Sequence, residues 1–495
     1  MIRTVSILVV GTVFLAACSG TATTDTGPPV IVATTTSGAP GTTEPGTTVA
    51  LRPATDISTR LGLGDSRYPE LGNGGYDAAH YTIDLSLAPD TADITALVSM
   101  VATATEDLDA LSLDFIGYDI TEVTVNGSPA DYSREDAKLI IATPERIMAG
   151  SEFTTAVAYR GSPEPIPSAA LPFDVGWRTA PDGVSYVASE PDGARSWIPV
   201  NDHPSDKATY TFRITVPDPL VAAANGSLVT EITDLGFSTW TWEMDQPMAS
   251  YLATVVIGPL QILPGGTTTS GVALRNVLPL DLADAPPAAL ARQGDMIDYL
   301  STLFGPYPFD TYGIAVVPDF DSALENQTLS IFGRWIVDSA GFLETVLVHE
   351  LAHQWFGDSV SPADWGDIWL NEGFATYAEW LWLEHTAGRA AYDATVAGAR
   401  AELVGAHVNP PGNPPANDLF NNGVYVWGGL VLAALRATVG DDAFFSILAR
   451  YYEDHAGSVA TTADFIALAE DLSGRDLTGF FTEWLDAATV PALPG

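Results

Sequence analysis

The sequence predicts an α+β multidomain chain, in which an N-terminal antiparallel β saddle or sandwich precedes a mostly helical domain. Three observations carry this. Residues 61–263 alternate apolar and polar side chains with the period of a strand, and residues 264–495 change to the period of a helix. At 46% hydrophobic and 17% charged over 495 residues, the chain also has the composition and length for more than one core.

The first elements precede both domains. Met1-Ile2-Arg3 gives a short positive start, and Val5 to Phe14 is an apolar run too short to span a bilayer. Leu15-Ala16-Ala17-Cys18 then resembles the bacterial lipobox, in which the cysteine is acylated and becomes the first mature residue. Residues 1–17 are therefore expected to be a lipoprotein signal peptide. Cys18, the single cysteine of the chain, is expected to anchor it to the cell membrane on the extracytoplasmic side. Residues 18–60 are rich in Thr, Gly and Pro, a composition that cannot bury enough apolar area to order itself, so a flexible tether is expected.

The β region opens on His80-Tyr81-Thr82-Ile83-Asp84-Leu85-Ser86-Leu87, which puts Tyr81, Ile83, Leu85 and Leu87 on one face. Glu122 to Val125, Thr209 to Val216 and Ser238 to Trp242 repeat the pattern, with Asn126-Gly127 and Asn225-Gly226 as turn signals. In the second region Leu290, Ile297, Leu300, Leu303 and Phe304 fit a helix stopped by Gly305-Pro306. Further helices are expected over 342–357, 367–386, 389–404, 424–437, 441–454, 462–473 and 476–486. The 62 acidic residues outnumber 20 basic ones, for a net charge of −42. Such a surface repels phosphate backbones, which excludes nucleic acid as a partner. Only two of the basic residues, Lys138 and Lys207, are lysines.

The chemistry concentrates in Thr345-Val346-Leu347-Val348-His349-Glu350-Leu351-Ala352-His353, an H-E-x-x-H pattern inside an apolar helical run. A spacing of four residues puts His349 and His353 on one helix face, where both can reach one zinc ion. Glu350 projects beside that face, placed to hold the attacking water without ligating the metal. A third ligand is needed, and Glu372 in Trp369-Leu370-Asn371-Glu372-Gly373-Phe374-Ala375 follows His353 after 18 intervening residues. That length allows a loop and a returning helix. Glu379 lies two turns further along the same face, as an acceptor that orients a ligand imidazole or as a solvent-facing acid.

H-E-L-A-H-Q-W-F-G-D with W-L-N-E-G-F-A is similar to the aminopeptidase N family of gluzincin peptidases. Ser189-Glu190-Pro191-Asp192-Gly193-Ala194-Arg195, Trp197-Ile198-Pro199, Asp206-Lys207-Ala208-Thr209-Tyr210 and Phe480-Phe481-Thr482-Glu483-Trp484-Leu485 extend the resemblance over most of the chain. It implies a β saddle domain over 61–263, a thermolysin-like catalytic domain over 264–495, one zinc per chain, and peptide substrates with a free N-terminus. Ser322-Ala323-Leu324-Glu325-Asn326 stands where the family has G-A-M-E-N, with Ser for Gly and Leu for Met. The resemblance gives Glu325 the substrate's α-ammonium, Glu190 a share of it, and Ala323 an edge strand whose backbone pairs with substrate. Tyr425, in Val424-Tyr425-Val426-Trp427-Gly428-Gly429, matches the tyrosine that donates to the oxyanion, although Trp427 replaces a customary Lys. The large helical C-terminal domain of many members is not found within this sequence. An endopeptidase and an inactive peptide-binding lipoprotein are the alternatives, with hydrolysis of a non-peptide electrophile a third.

Overall fold

The computed structural model describes residues 60–89, 93–339 and 341–494. The signal peptide, Cys18 and the tether up to residue 59 lie outside the described residues. Arg60 is already tied down, with Nε 2.6 Å from Glu106 Oε1 and its carbonyl accepting from Gly74. The described residues all belong to one compact unit.

Its first half is built on an eight-stranded sheet in the order Ser227–Asp234, Phe237–Met248, Ala208–Pro217, Tyr76–Leu87, Ile94–Ala104, Glu152–Gly161, Asp119–Val125, Ser128–Pro129. Alternation produces the buried face: Tyr81, Ile83 and Leu85 are each at most 1% exposed. The pairs are antiparallel except one inner pair, Tyr76–Leu87 against Ala208–Pro217, which is parallel. Asn126-Gly127 makes the tight hairpin its positive φ values, 51° and 73°, allow. Asn225 is no mere turn residue, being completely buried. A three-stranded sheet (Leu108–Asp114, Lys138–Ile147, Tyr132–Glu135) and a four-stranded one (Val221–Ala224, Val255–Gly258, Ser185–Ala188, Gly176–Thr179) complete this half.

The second half opens with a further sheet rather than with helices. Its path runs Leu260–Thr267, Ala273–Pro279, Ile314–Val317, Ser330–Gly333, Ala323–Leu324, with Thr311–Tyr312 beside Ala273–Pro279. The expected boundary at 263/264 thus falls inside a strand. Pro264 reads as a break, but Leu260–Thr267 is an edge strand with a register shift between Pro264 and Gly266, where a missing N–H is tolerated. The helices follow at Gln293–Phe304, Leu343–Ala352, Trp369–Ala387, Arg389–Leu403, Gly428–Val439, Asp441–His455, Thr462–Ser473 and Thr478–Asp486. Gly305, with φ +109°, ends the first of them.

Candidate active site

Two packed helices bring the donors together. Leu343–Ala352 buries Leu347, Val348 and Leu351, which turns His349 and then His353 toward Trp369–Ala387. The latter is buried along most of its length and carries Glu372 in its first turn. His349 Nε2 is 3.3 Å from Glu372 Oε2, and His353 Nε2 is 3.4 Å from the same oxygen. The three donor atoms lie within 4.8 Å of one another. Each imidazole is held from behind: His349 Nδ1 is 2.7 Å from Glu379 Oε1, and His353 Nδ1 is 3.2 Å from the Phe356 carbonyl. With Nδ1–H donated to those acceptors, both Nε2 lone pairs face one point. Two imidazoles and a carboxylate so arranged fit a zinc ion.

Electrostatics mark the same point as a place for positive charge. In the metal-free chain, where both imidazoles are held protonated, burial would raise the Glu372 carboxyl, but the charge of His353 and hydrogen bonds from both rings hold it down to about 2. Burial pushes Glu350 up to about 8, with help from Glu325 and Glu372 and against the pull of His349 and His353. Glu190 and Glu325 are 6% and 2% exposed, and Oε1 of each accepts no hydrogen bond. Burial pushes both carboxyls up, and the Glu325 charge adds to the effect on Glu190. Buried acceptors without partners call for a donor from outside the chain.

The loop bearing Glu325 is fastened on two sides. Ala323–Leu324 is the outermost strand of its sheet and, among the described residues, pairs only with Ser330–Gly333. Gln354, next to His353, donates from Nε2 to the Glu325 carbonyl at 2.8 Å and accepts from the Thr328 N–H at 2.8 Å. Asn225 Nδ2 reaches across from the β half to the carbonyls of Gln327 and Leu252, at 2.7 and 2.9 Å. Sequence reasoning missed both residues. An amide inside the apolar run Ala352 to Phe356 was the signal for Gln354, whereas Asn225 carried only a turn signal.

Tyr425 lies in a π-helical turn, Gly423–Trp427, that leads into Gly428–Val439. Such turns are uncommon and concentrate at functional sites. The Tyr425 ring stacks on His349 with centroids 5.9 Å apart and planes at 22°. Burial, then the charges of Glu372, Glu190, Glu325 and Glu350, push its phenol well above the ordinary value, so it stays a donor. Glycine makes the approach possible: a Cβ on Gly373 would sit 2.8 Å from the Gly428 carbonyl carbon.

Fold and donor set together define the class of H-E-x-x-H zinc metallopeptidases with a downstream glutamate ligand. Residues 289–484 match the Peptidase family M1 domain, and residues 77–252 match the Peptidase M1 N-terminal domain. A solved M1 zinc metallopeptidase from Deinococcus radiodurans is 34% identical, with a TM-score of 0.80 over 88% of this chain and 99% of that one. A mutant of that enzyme bound to a Tyr-Ser-Ala substrate is 33% identical with a TM-score of 0.81, covering 88% of this chain and 99% of its own. The chain belongs to peptidase family M1. Aminopeptidase N of Streptomyces lividans is 27% identical over 447 residues, and Aminopeptidase M1 of Arabidopsis thaliana 28% over 326. These matches cover 84% and 61% of this chain but only 51% and 37% of those proteins, so it spans about half or less of their length.

Proposed function

We propose that this chain is a zinc aminopeptidase that binds one zinc and releases residues from the free N-terminus of peptides. The carrying observation is the pair of buried carboxylates, Glu190 and Glu325, whose Oε1 atoms accept no hydrogen bond among the described residues. Glu325 lies on the loop that continues the edge strand Ala323–Leu324, and it is one of three buried groups, with Glu350 and His353, whose oxygens and nitrogen lie within 4.8 Å. A peptide laid along that edge would bring its first ammonium to the carboxylates, fixing the cut one residue from the end. Zinc, held by His349, His353 and Glu372, would supply Lewis acidity toward the water and the scissile carbonyl. Glu350 takes the proton of the attacking water and passes it to the leaving amine. Tyr425 donates its hydroxyl to the developing oxyanion. The substrate peptide seen in the Deinococcus radiodurans homologue supports this reading.

A panel of aminoacyl amides, free and N-acetylated, tests it, run with and without a chelator. Acetylation removes the charge and leaves buried acceptors unpaired, so kcat/KM should fall roughly 10⁴–10⁵-fold. Chelation should abolish turnover, and elemental analysis should return one zinc per chain. Equal rates on free and acetylated substrates would instead make the protein an endopeptidase. The Leu15-Ala16-Ala17-Cys18 motif further supports action outside the cytoplasm, with the chain anchored to the membrane through a lipid on Cys18. Among the described residues no helix is long and apolar enough to cross a membrane. Metabolic labelling with a fatty acid should mark the wild type and not Cys18→Ser.

A further inference from the structure

Both lysines of the chain direct their ammonium groups at backbone carbonyls. Lys138 Nζ donates to the Gly72 carbonyl at 2.7 Å and to Asp114 Oδ1 at 2.6 Å. Lys207 Nζ donates to three carbonyls and to no carboxylate: those of Asp358 and Ser359 at 2.8 Å each, and that of Ser458 at 3.2 Å. The other basic residues, 20 less 2, are 18 arginines. An ammonium gathers its three donors at one point, whereas a guanidinium spreads its donors around a wider plane, which is a physical reason for a lysine where three carbonyls meet at one atom. Burial pushes the Lys207 ammonium down to about 7, against the pull of the Asp358 charge.

The three carbonyls matter because of where they lie. Lys207 stands at the start of the strand Ala208–Pro217 in the β half. Asp358 and Ser359 form the turn that leaves the helix bearing the metal donors, and Ser458 precedes Val459–Ala460, which pairs with Ser361–Pro362. Within that turn the Asp358 N–H donates to the His353 carbonyl at 2.9 Å, and the Phe356 carbonyl accepts from His353 Nδ1. The turn is closed further by Ser361 Oγ and Tyr251 Oη, which donate to the Gly357 carbonyl at 2.6 and 3.3 Å. Lys207 thus clamps the segment that sets the azimuth and tautomer of one metal ligand.

We infer that Lys207 is a positioning residue for His353, acting through three backbone carbonyls rather than through charge on the substrate. The inference rests on the reading of His353 as a zinc ligand. Groups that hold a ligand imidazole from behind are worth about 10–100-fold in metal affinity. Loss of the clamp should cost a similar factor, read as the zinc dissociation constant in a chelator competition.

The test uses the full-length chain. Lys207→Met keeps most of the stem and removes the donors, and should weaken zinc binding about 10–100-fold. Its cobalt-loaded form should show a shifted d–d absorption spectrum, which reports the geometry of the ligand set. Lys138→Met is the control, since it removes a lysine bonded to a carbonyl remote from the metal donors: it should lower the melting temperature and leave zinc affinity unchanged. Lys207→Ala should regain zinc affinity in millimolar n-propylammonium, which matches the atoms removed and can donate to the same carbonyls. Lys207→Arg retains charge and bulk, guards against a misfolded methionine variant, and should still bind zinc at least several-fold more weakly than wild type. Wild-type zinc affinity in Lys207→Met or Lys207→Arg, or equal weakening in Lys138→Met, would overturn the inference. Absence of zinc binding by the wild type would overturn the metallopeptidase reading instead.

Discussion

Tyr425 shows how one atom can be separated from the ring that carries it. The ring stacks on His349, and in the proposed mechanism the hydroxyl alone acts on the reacting carbonyl. Negative charge develops on that oxygen only as water attacks, so the donor serves the transition state and not the bound substrate. Tyr425→Phe should therefore lower kcat by about 10²–10³ with KM and zinc content nearly unchanged. Steady-state kinetics beside elemental analysis check this. Near-normal kcat in the zinc-loaded variant would remove Tyr425 from the mechanism. His349, Glu350 and His353 were readable in the sequence because helical spacing alone converges them, and Glu372 because the 18 residues after His353 suffice for a loop and a returning helix. Gln354 and Asn225 were not, because their partners are backbone carbonyls and an amide of a loop whose path no local pattern reveals.

Among elements, the helices were the legible part. Each run from Leu343–Ala352 to Thr478–Asp486 spans several turns and has a buried stripe, so its period survives in the sequence. The six-stranded sheet did not show itself. Its strands are two to eight residues long and several, such as Ile314–Val317, are wholly buried, so they show no alternation. The π-helical turn also escaped, since a single wide turn leaves no period. Its seat depends on Gly373 meeting Gly428. In Gly373→Ala the new Cβ would lie 2.8 Å from backbone, not from a side chain that could swing aside. Relieving that contact costs about 1–3 kcal/mol and displaces the turn bearing Tyr425. The expected result is a kcat reduced at least about tenfold with zinc still bound, because Glu372 stays on its own helix. Unchanged turnover at an unchanged melting temperature would show that the contact is slack.

At the scale of the whole molecule, acidity has been carried inside as well as outside. Burial holds Asp202 and Asp206 up to about 7, and raises Asp114, Asp192 and Asp358 as well. A carboxyl raised in the folded state binds more protons there than in the unfolded chain. Its stabilising contribution is complete below about 4 and is lost as pH rises through the folded value. His80 and Lys207, both lowered by burial, work in the opposite direction but are two groups against five carboxyls. Metal-free protein should therefore melt several degrees higher at about pH 5.5 than at about pH 7.5, at about 1.4 kcal/mol per pH unit for each additional proton held. Acidification also relieves the repulsion of a chain with net charge −42. Scanning calorimetry across that range checks the sign, and a melting temperature that falls from pH 7.5 to 5.5 refutes it.

Asn225 has a consequence for descent. It belongs to the β half of the sequence, yet its amide secures the loop that presents Glu325, while Glu190 comes from that same half. A recombination that joined residues 260–495 to a foreign β half would deliver His349, His353 and Glu372 intact and leave that loop held by Gln354 but without Asn225. The two halves are thus coupled through this amide: a β half supplied from elsewhere keeps the loop's anchor only where it carries an equivalent side chain.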